Sequence, residues 1–216
     1  MTSPHTPTRF GAKHTVSRIL HKYADWRIAA SEAEKHCHKP SDTILLTFDD
    51  YGTEAEVHDI LQILAAKRVK AMFFLVGTWA TKHPELVHAI EQAGHVVGNH
   101  TYSHANLLKC TDREVLQEIS SGLPGRWLRA PQGRANRRIG ALASSLGFSL
   151  CYWTIDSRDW TNVSIEEMRH TILSELQPGA VILFHIHGRH TRQALPQLID
   201  DIRDKGYELT APSEDW

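Results

Sequence analysis

The sequence predicts an α/β protein in which parallel strands and helices close into a distorted or incomplete barrel. Three observations carry this. Apolar, β-branched runs alternate with amphipathic helical segments from residue 43 to the C-terminus. Helical segments carry terminal signals, a Ser cap with Glu three residues on or a closing Gly. The strand-like runs end in polar residues, and the C-terminal ends of barrel strands are where active sites collect.

The elements follow in order. TILLTF (residues 43–48) reads as a buried strand, and EAEVHDILQILAAKRV then places Val57, Ile60, Leu61 and Leu64 on one helical face. KAMFFLV is a second strand, HPELVHAIEQAG a helix closed by Gly, and HVVG a short third strand. A helix at TDREVLQEIS, a strand at RWLRA and a helix at RRIGALASSLG come next. FSLCYWTI reads as one strand, SIEEMRHTILSEL as a helix, AVILFHI as a strand, and RQALPQLIDDIRDKG as a last helix before YELT. Residues 1–40 form an N-terminal extension, flexible and then helical, and residues 41–216 form the domain.

Composition narrows the function. The 216 residues are 41% hydrophobic and 23% charged, which suits one soluble globular domain. A net charge of -1 without a dense Lys/Arg run argues against a nucleic-acid partner. No apolar run is long enough to span a bilayer, so no membrane partner is expected. Cys37, Cys110 and Cys151 are odd in number and widely spaced, which is no disulfide framework and fits either a reducing compartment or simple core cysteines. No secretory h-region opens the sequence, so a cytoplasmic location is expected, or a secreted one if a signal has been removed. Nothing in the sequence sets an oligomeric state.

The chain holds 15 histidines, and two of them, in His100-Thr-Tyr-Ser-His104, directly follow a strand. Four-residue spacing lets two imidazoles face one ion, but such pairs also arise by chance in a His-rich chain. Asp49 and Asp50 strengthen the case, because adjacent carboxylates ending an apolar strand repel unless a cation or hydrogen bonds compensate. One of them could instead cap the helix starting near Glu54. Asp50, His100 and His104 leave coordination positions open, as a catalytic metal requires, and Asp49 beside them is placed to act as general base. Zinc is the first expectation for the one divalent metal, with Co²⁺, Ni²⁺, Mn²⁺ or Fe²⁺ also suited to two His and a carboxylate.

Thr47-Phe48-Asp49-Asp50, His100-Thr-Tyr-Ser-His104, Arg129-Ala-Pro-Gln-Gly133, Asp156-Ser-Arg-Asp159-Trp160 and Leu183-Phe-His185 together resemble the five ordered motifs of the polysaccharide deacetylases, the NodB-like carbohydrate esterase family 4. The resemblance implies a distorted or incomplete (β/α)7 barrel of the NodB-homology type and a metal-dependent N-deacetylase. It implies Asp49 as base, Asp50, His100 and His104 as metal ligands, and His185 as the acid that protonates the leaving amine. Arg129 matches the arginine that orients the base, and Asp159 the carboxylate that holds the acid, with Asp156 as second candidate. Leu183 would line the acetyl pocket and Trp160 a wall of the substrate groove.

The chain departs from that pattern at three places. Gln132 stands where an aromatic residue usually precedes the third-motif Gly, although its backbone N–H can still serve an oxyanion. Tyr51 is inserted between Asp50 and Gly52, where it is expected to reshape the loop over the metal and, like Gln132, to contact substrate. His187 follows His185 by two residues and is expected to touch a loop or substrate rather than to act as a fourth ligand. The expected substrate is an N-acetylhexosamine unit of a glycan or oligosaccharide. The alternative is an intracellular amidohydrolase acting on a small amide, imide or N-acyl metabolite, and the remote alternative is a catalytically dead carbohydrate-binding protein.

Overall fold

The computed structural model describes Cys37 and residues 43–210. The expected N-terminal extension, Cys37 apart, lies outside the described residues.

Among the described residues, eight parallel strands form one curled sheet. Strand β1 (Thr43–Asp50) lies between β2 (Met72–Leu75) and β7 (Val181–His185). Beyond β2 come β3 (Val96–Asn99), β4 (Trp127–Leu128) and β5 (Ser149–Leu150); beyond β7 comes β6 (Ile155–Asp156). The eighth, β8 (Glu208–Leu209), pairs only with the start of β1. Because β5 and β6 occupy opposite edges without pairing, the barrel is open there, as the incomplete barrel requires.

The single strand expected at FSLCYWTI is therefore two. Its first residues pair with β4 and its last with β7, and residues 151–154 cross the gap between the sheet edges. Hydrophobic pattern cannot separate these, because both short strands and the crossing are buried to similar degrees and share an apolar, aromatic composition. RWLRA likewise contributes a strand of only two residues.

Helices α1 (Glu54–Lys67), α2 (Gly77–Ala80), α3 (Pro84–Gln92), α4 (Asp112–Ser120), α5 (Arg137–Ser145), α6 (Ile165–Glu175) and α7 (Thr191–Asp204) complete the fold. Three begin with full capping boxes, Thr53 with Glu56, Thr111 with Glu114 and Ser164 with Glu167, each satisfying otherwise orphaned N–H groups. Thr53 thus caps α1, and neither Asp49 nor Asp50 is used for that purpose.

Period-two alternation sorts β1 into two faces. Ile44, Leu46 and Phe48 pack outward into the main core with Val57, Ile60 and Leu64 of α1 and Leu195, Leu198 and Ile199 of α7. Leu45 faces inward with Met72, Phe74, Trp127 and Val181. Thr47 and Asp49 share this inner face, so the barrel interior is apolar at its base and polar at the strand ends.

A disulfide joins Cys37 to Cys151 across 114 residues. This corrects the reading of the cysteines as unpaired: odd number and wide spacing say nothing about which side chains the fold brings together. Cys110 is free. His95 is buried, and its Nδ1 accepts the Ala71 N–H at 3.1 Å. Burial and nearby Lys70 lower its pKa to about 4. Among the described residues, no helix is long and apolar enough to cross a membrane.

Candidate active site

Adjacent side chains on a regular strand point to opposite faces, so Asp49 and Asp50 could not both serve one site by strand geometry alone. Asp50 escapes the alternation with φ 77°. Thr101 and His104 in the loop after β3, Gln132 after β4 and Arg158 after β6 also have positive φ, at 64°, 61°, 58° and 58°. Outside glycine this conformation costs roughly 1–2 kcal/mol per residue. Its concentration in the strand-end loops marks where the fold spends strain on placing side chains.

The result is a convergence of three donor atoms. Asp50 Oδ1 lies 3.2 Å from His100 Nε2 and 3.2 Å from His104 Nε2, and one ligand atom from each residue falls within 4.8 Å of the others. His100 Nδ1 is 2.8 Å from the Arg129 carbonyl oxygen. A carbonyl only accepts, so Nδ1 carries the proton and the Nε2 of the neutral ring presents a lone pair. Burial alone would push the Asp50 carboxyl up, but imidazolium forms of His100 and His104, which would donate to it, and the charge of His185 favour its ionised form and hold it below the usual carboxylate range. Yet buried Asp50 Oδ1 has no hydrogen-bond partner of acceptable geometry. A negative oxygen facing two imidazole nitrogens without hydrogen bonds is the donor set a divalent cation fits.

The loop that carries the histidines is anchored by a residue the motifs did not single out. Asn99 is fully buried; its Nδ2 donates to the carbonyls of Ile119 and Leu123, and its Oδ1 accepts the Thr101 N–H at 2.7 Å.

Asp49 sits beside this cluster, its Oδ2 3.9 Å from His100 Nε2. Arg129 Nη1 donates to Asp49 Oδ1 at 2.7 Å and contacts Thr47 Oγ1 at 2.8 Å, while Nε donates to the Cys151 carbonyl at 3.2 Å. The guanidinium is fully buried, 4.1 Å from the Phe74 ring centroid and 5.6 Å from that of Trp153. Burial lowers the Arg129 pKa and the negative charge of Asp49 opposes this. The crossing segment that the sequence hid inside one strand therefore supplies the acceptor that holds this arginine.

Asp49 and His185 are register partners on neighbouring strands. His185 Nδ1 is 2.7 Å from Asp159 Oδ1, while Asp159 Oδ2 accepts the His185 N–H at 2.7 Å and the Thr191 hydroxyl at 2.5 Å. Burial pushes the His185 imidazole down, but the Asp159 hydrogen bond and the charges of Asp159, Asp49 and Asp50 outweigh it and raise the pKa to about 9. Thr191, 32 positions from Asp159, belongs to no motif, and no sequence signal pointed to it. Gly188 leaves room for this contact: a Cβ there would stand 2.2 Å from Asp159 Oδ2 and Thr191 Oγ1.

Asp156, the second candidate, accepts the Arg158 N–H at 2.8 Å and is hydrogen-bonded to Trp160. Burial raises its pKa. Leu183 is buried on β7, in register with Thr47. Gln132 is exposed in the turn Pro131–Gly133. Tyr51, His187 and Trp160 are exposed at the ends of β1, β7 and β6. His190 is occupied by Gln193, 3.0 Å from its Oε1.

Fold and site together define a class, a parallel half-barrel that gathers at its strand ends a cation-type ligand set, an arginine-bound carboxylate and a carboxylate-bound imidazole. The chain belongs to the polysaccharide deacetylase family, whose model matches residues 37–151, and is a hydrolase of carbon–nitrogen bonds other than peptide bonds. It is 36% identical over 185 residues to a peptidoglycan-N-acetylglucosamine deacetylase of Bacillus cereus, covering 79% of this chain and 67% of that one. It is 30% identical over 192 residues to a chitooligosaccharide deacetylase of Bradyrhizobium sp., covering 77% and 87%. Its structure also superposes, with a TM-score of 0.76 and 25% identity, on a carbohydrate esterase family 4 pseudoenzyme from Bacillus anthracis, over 80% of this chain and 65% of that one.

Proposed function

We propose that the protein removes the acetyl group from an N-acetylhexosamine unit of a glycan or oligosaccharide, with a divalent metal, zinc by preference, held by Asp50, His100 and His104. The observation that carries this is the pairing of Asp49 with His185 on neighbouring strands: one carboxylate tied to a buried arginine, one imidazole kept protonated, both beside the donor cluster. When bound, the metal supplies Lewis-acid polarisation of the amide carbonyl and lowers the pKa of water.

Asp49 takes the proton of the attacking water on Oδ2, its Oδ1 being held by Arg129. The water oxygen forms the new bond to the carbonyl carbon, and the Gln132 backbone N–H stabilises the negative charge that develops on the carbonyl oxygen. His185, its Nδ1 turned to Asp159, delivers a proton from Nε2 to the sugar nitrogen as the C–N bond breaks. Acetate and the free amine leave. Leu183 bounds the space for the acetyl methyl group.

The relatives named for chitooligosaccharide and peptidoglycan support a glycan substrate. Gln132 favours a second reading, a small N-acyl metabolite, because it removes an aromatic wall from the groove. The likeness to a pseudoenzyme does not favour an inactive protein, since Asp49, Asp50, His100, His104, Arg129, Asp159 and His185 are all present. Of the locations the sequence leaves open, the Cys37–Cys151 disulfide supports the secreted one.

The test is acetate release from chitooligosaccharides, peptidoglycan fragments and monomeric amides by the zinc-loaded protein and by Asp49→Asn. Release from oligomers, lost about 10²–10⁴-fold in Asp49→Asn with metal content unchanged, is the expected result. Turnover confined to monomeric amides would establish the second reading.

A further inference from the structure

Tyr51 has no counterpart in the first motif and is 50% exposed. Its backbone is nevertheless fixed. The Gly52 carbonyl accepts the Trp79 indole N–H at 3.0 Å, and a Cβ on Gly52 would stand 2.4 Å from Ile186 Cγ2, so the loop lies directly on the end of β7. Thr53 then starts α1 with its capping box.

The Tyr51 ring is fixed as well. It stacks on His187 with centroids 5.3 Å apart and planes at 21°, and His187 Nδ1 lies 3.2 Å from the Tyr51 carbonyl oxygen. That carbonyl accepts the Nδ1 proton, which leaves Nε2 of the neutral ring as a hydrogen-bond acceptor. The His187 ring is in turn 5.7 Å from the His185 ring. A rigid, exposed aromatic plate thus adjoins the proton donor without occupying its place. The strand order sets β6 on the other side of β7, and its loop carries Trp160, 57% exposed and hydrogen-bonded to Asp156.

We propose that Tyr51 and His187 form a sugar subsite that receives the unit next to the one deacetylated. The C–H face of that pyranose lies on the Tyr51 ring, and one of its hydroxyls donates to His187 Nε2. An apolar ring face against an aromatic plate, with one polar handle at its edge, is how a flat amphipathic ligand is held at low entropic cost. The pair therefore sets the preference for oligomers over monomers. This rests on the deacetylase reading above.

The experiment compares acetate release from N-acetylglucosamine and from its β-linked tetramer by the zinc-loaded wild type, Tyr51→Ala, Tyr51→Phe and His187→Ala. In Tyr51→Ala the tetramer-to-monomer ratio of kcat/KM falls about three- to tenfold, the equivalent of one aromatic contact, through tetramer KM. Tyr51→Phe keeps the wild-type ratio, and His187→Ala lowers it by less. Calorimetry of tetramer binding to Asp49→Asn protein, with and without Tyr51→Ala, reads the same contact without turnover. An unmoved ratio and affinity in Tyr51→Ala overturn the subsite. So does a fall in kcat on both substrates alike, which would assign Tyr51 to shaping the loop beside Asp50. Failure of the wild type to release acetate from any glycan overturns the deacetylase reading itself.

Discussion

The two ends of the active site are built on opposite electrostatic plans. At the β1–β3 end, a carboxylate and two imidazoles converge with an oxygen left unpaired and backbone held at positive φ. At the β6–β7 end, Asp159 accepts hydrogen bonds on both oxygens, from His185 and from Thr191, and its imidazole partner stays charged. One end completes its charge balance only with a cation; the other is complete within the chain. The contrast teaches that an unpaired ligand cluster and a hydrogen-bonded ion pair can share one cleft, each favouring the charged form of the other: the carboxylates of Asp49 and Asp50 raise the His185 pKa and the His185 charge lowers that of Asp50.

The largest effect should come from the incomplete end. Chelation is expected to abolish hydrolysis, and restoring zinc to 100 times its Kd should stabilise the fold by about 2.7 kcal/mol, read as a rise in Tm. His100→Ala should lose that rise, whereas Asp159→Asn should keep it. A metal-dependent Tm that survives in His100→Ala would break the comparison.

Next in size is the acid end. With the His185 pKa near 9, kcat/KM should fall as pH rises through about 9. In Asp159→Asn the lost charge should move that alkaline limb down toward the ordinary His value of 6.5 and lower kcat. An unmoved limb would separate Asp159 from the titration.

Gly188→Ala should cost about 1–3 kcal/mol of stability by forcing a Cβ against Asp159 and Thr191, while zinc affinity stays near wild type. Denaturant melting beside a zinc titration measures both.

The last comparison is in the pH dependence of stability, where the two signs differ. His185 is raised from 6.5 to about 9, so its contribution is complete below about 6.5 and is lost as pH rises through about 9. His95, away from both ends, is lowered from 6.5 to about 4, so stability falls as pH drops from about 6.5 toward 4. His95→Gln should flatten the acid limb of a Tm-against-pH curve and leave the alkaline limb in place.

Much of the molecule was legible beforehand because period and punctuation are local. The apolar face of α1, the Ser164 cap and the buried run of β1 follow from residues within a few positions of one another. The convergence of Asp50, His100 and His104 was legible because these residues stand at strand ends, and the other candidates because they match the ordered motifs of the family. The split of FSLCYWTI, the burial of His95 and the partners Asn99 and Thr191 were not, since each depends on which distant backbone or side chain the sheet brings near.

By itself the sequence determined the parallel β/α order and the inventory at the strand ends, because helix and strand periods and terminal caps are written in consecutive residues. Only the tertiary structure decided that Cys37 meets Cys151, that Asp159 rather than Asp156 holds His185, and that Asp50 turns at φ 77° to join two histidines. Those choices depend on curling the sheet, which sets side chains 26 to 114 residues apart within bonding distance at the energy of the whole core rather than of any local segment.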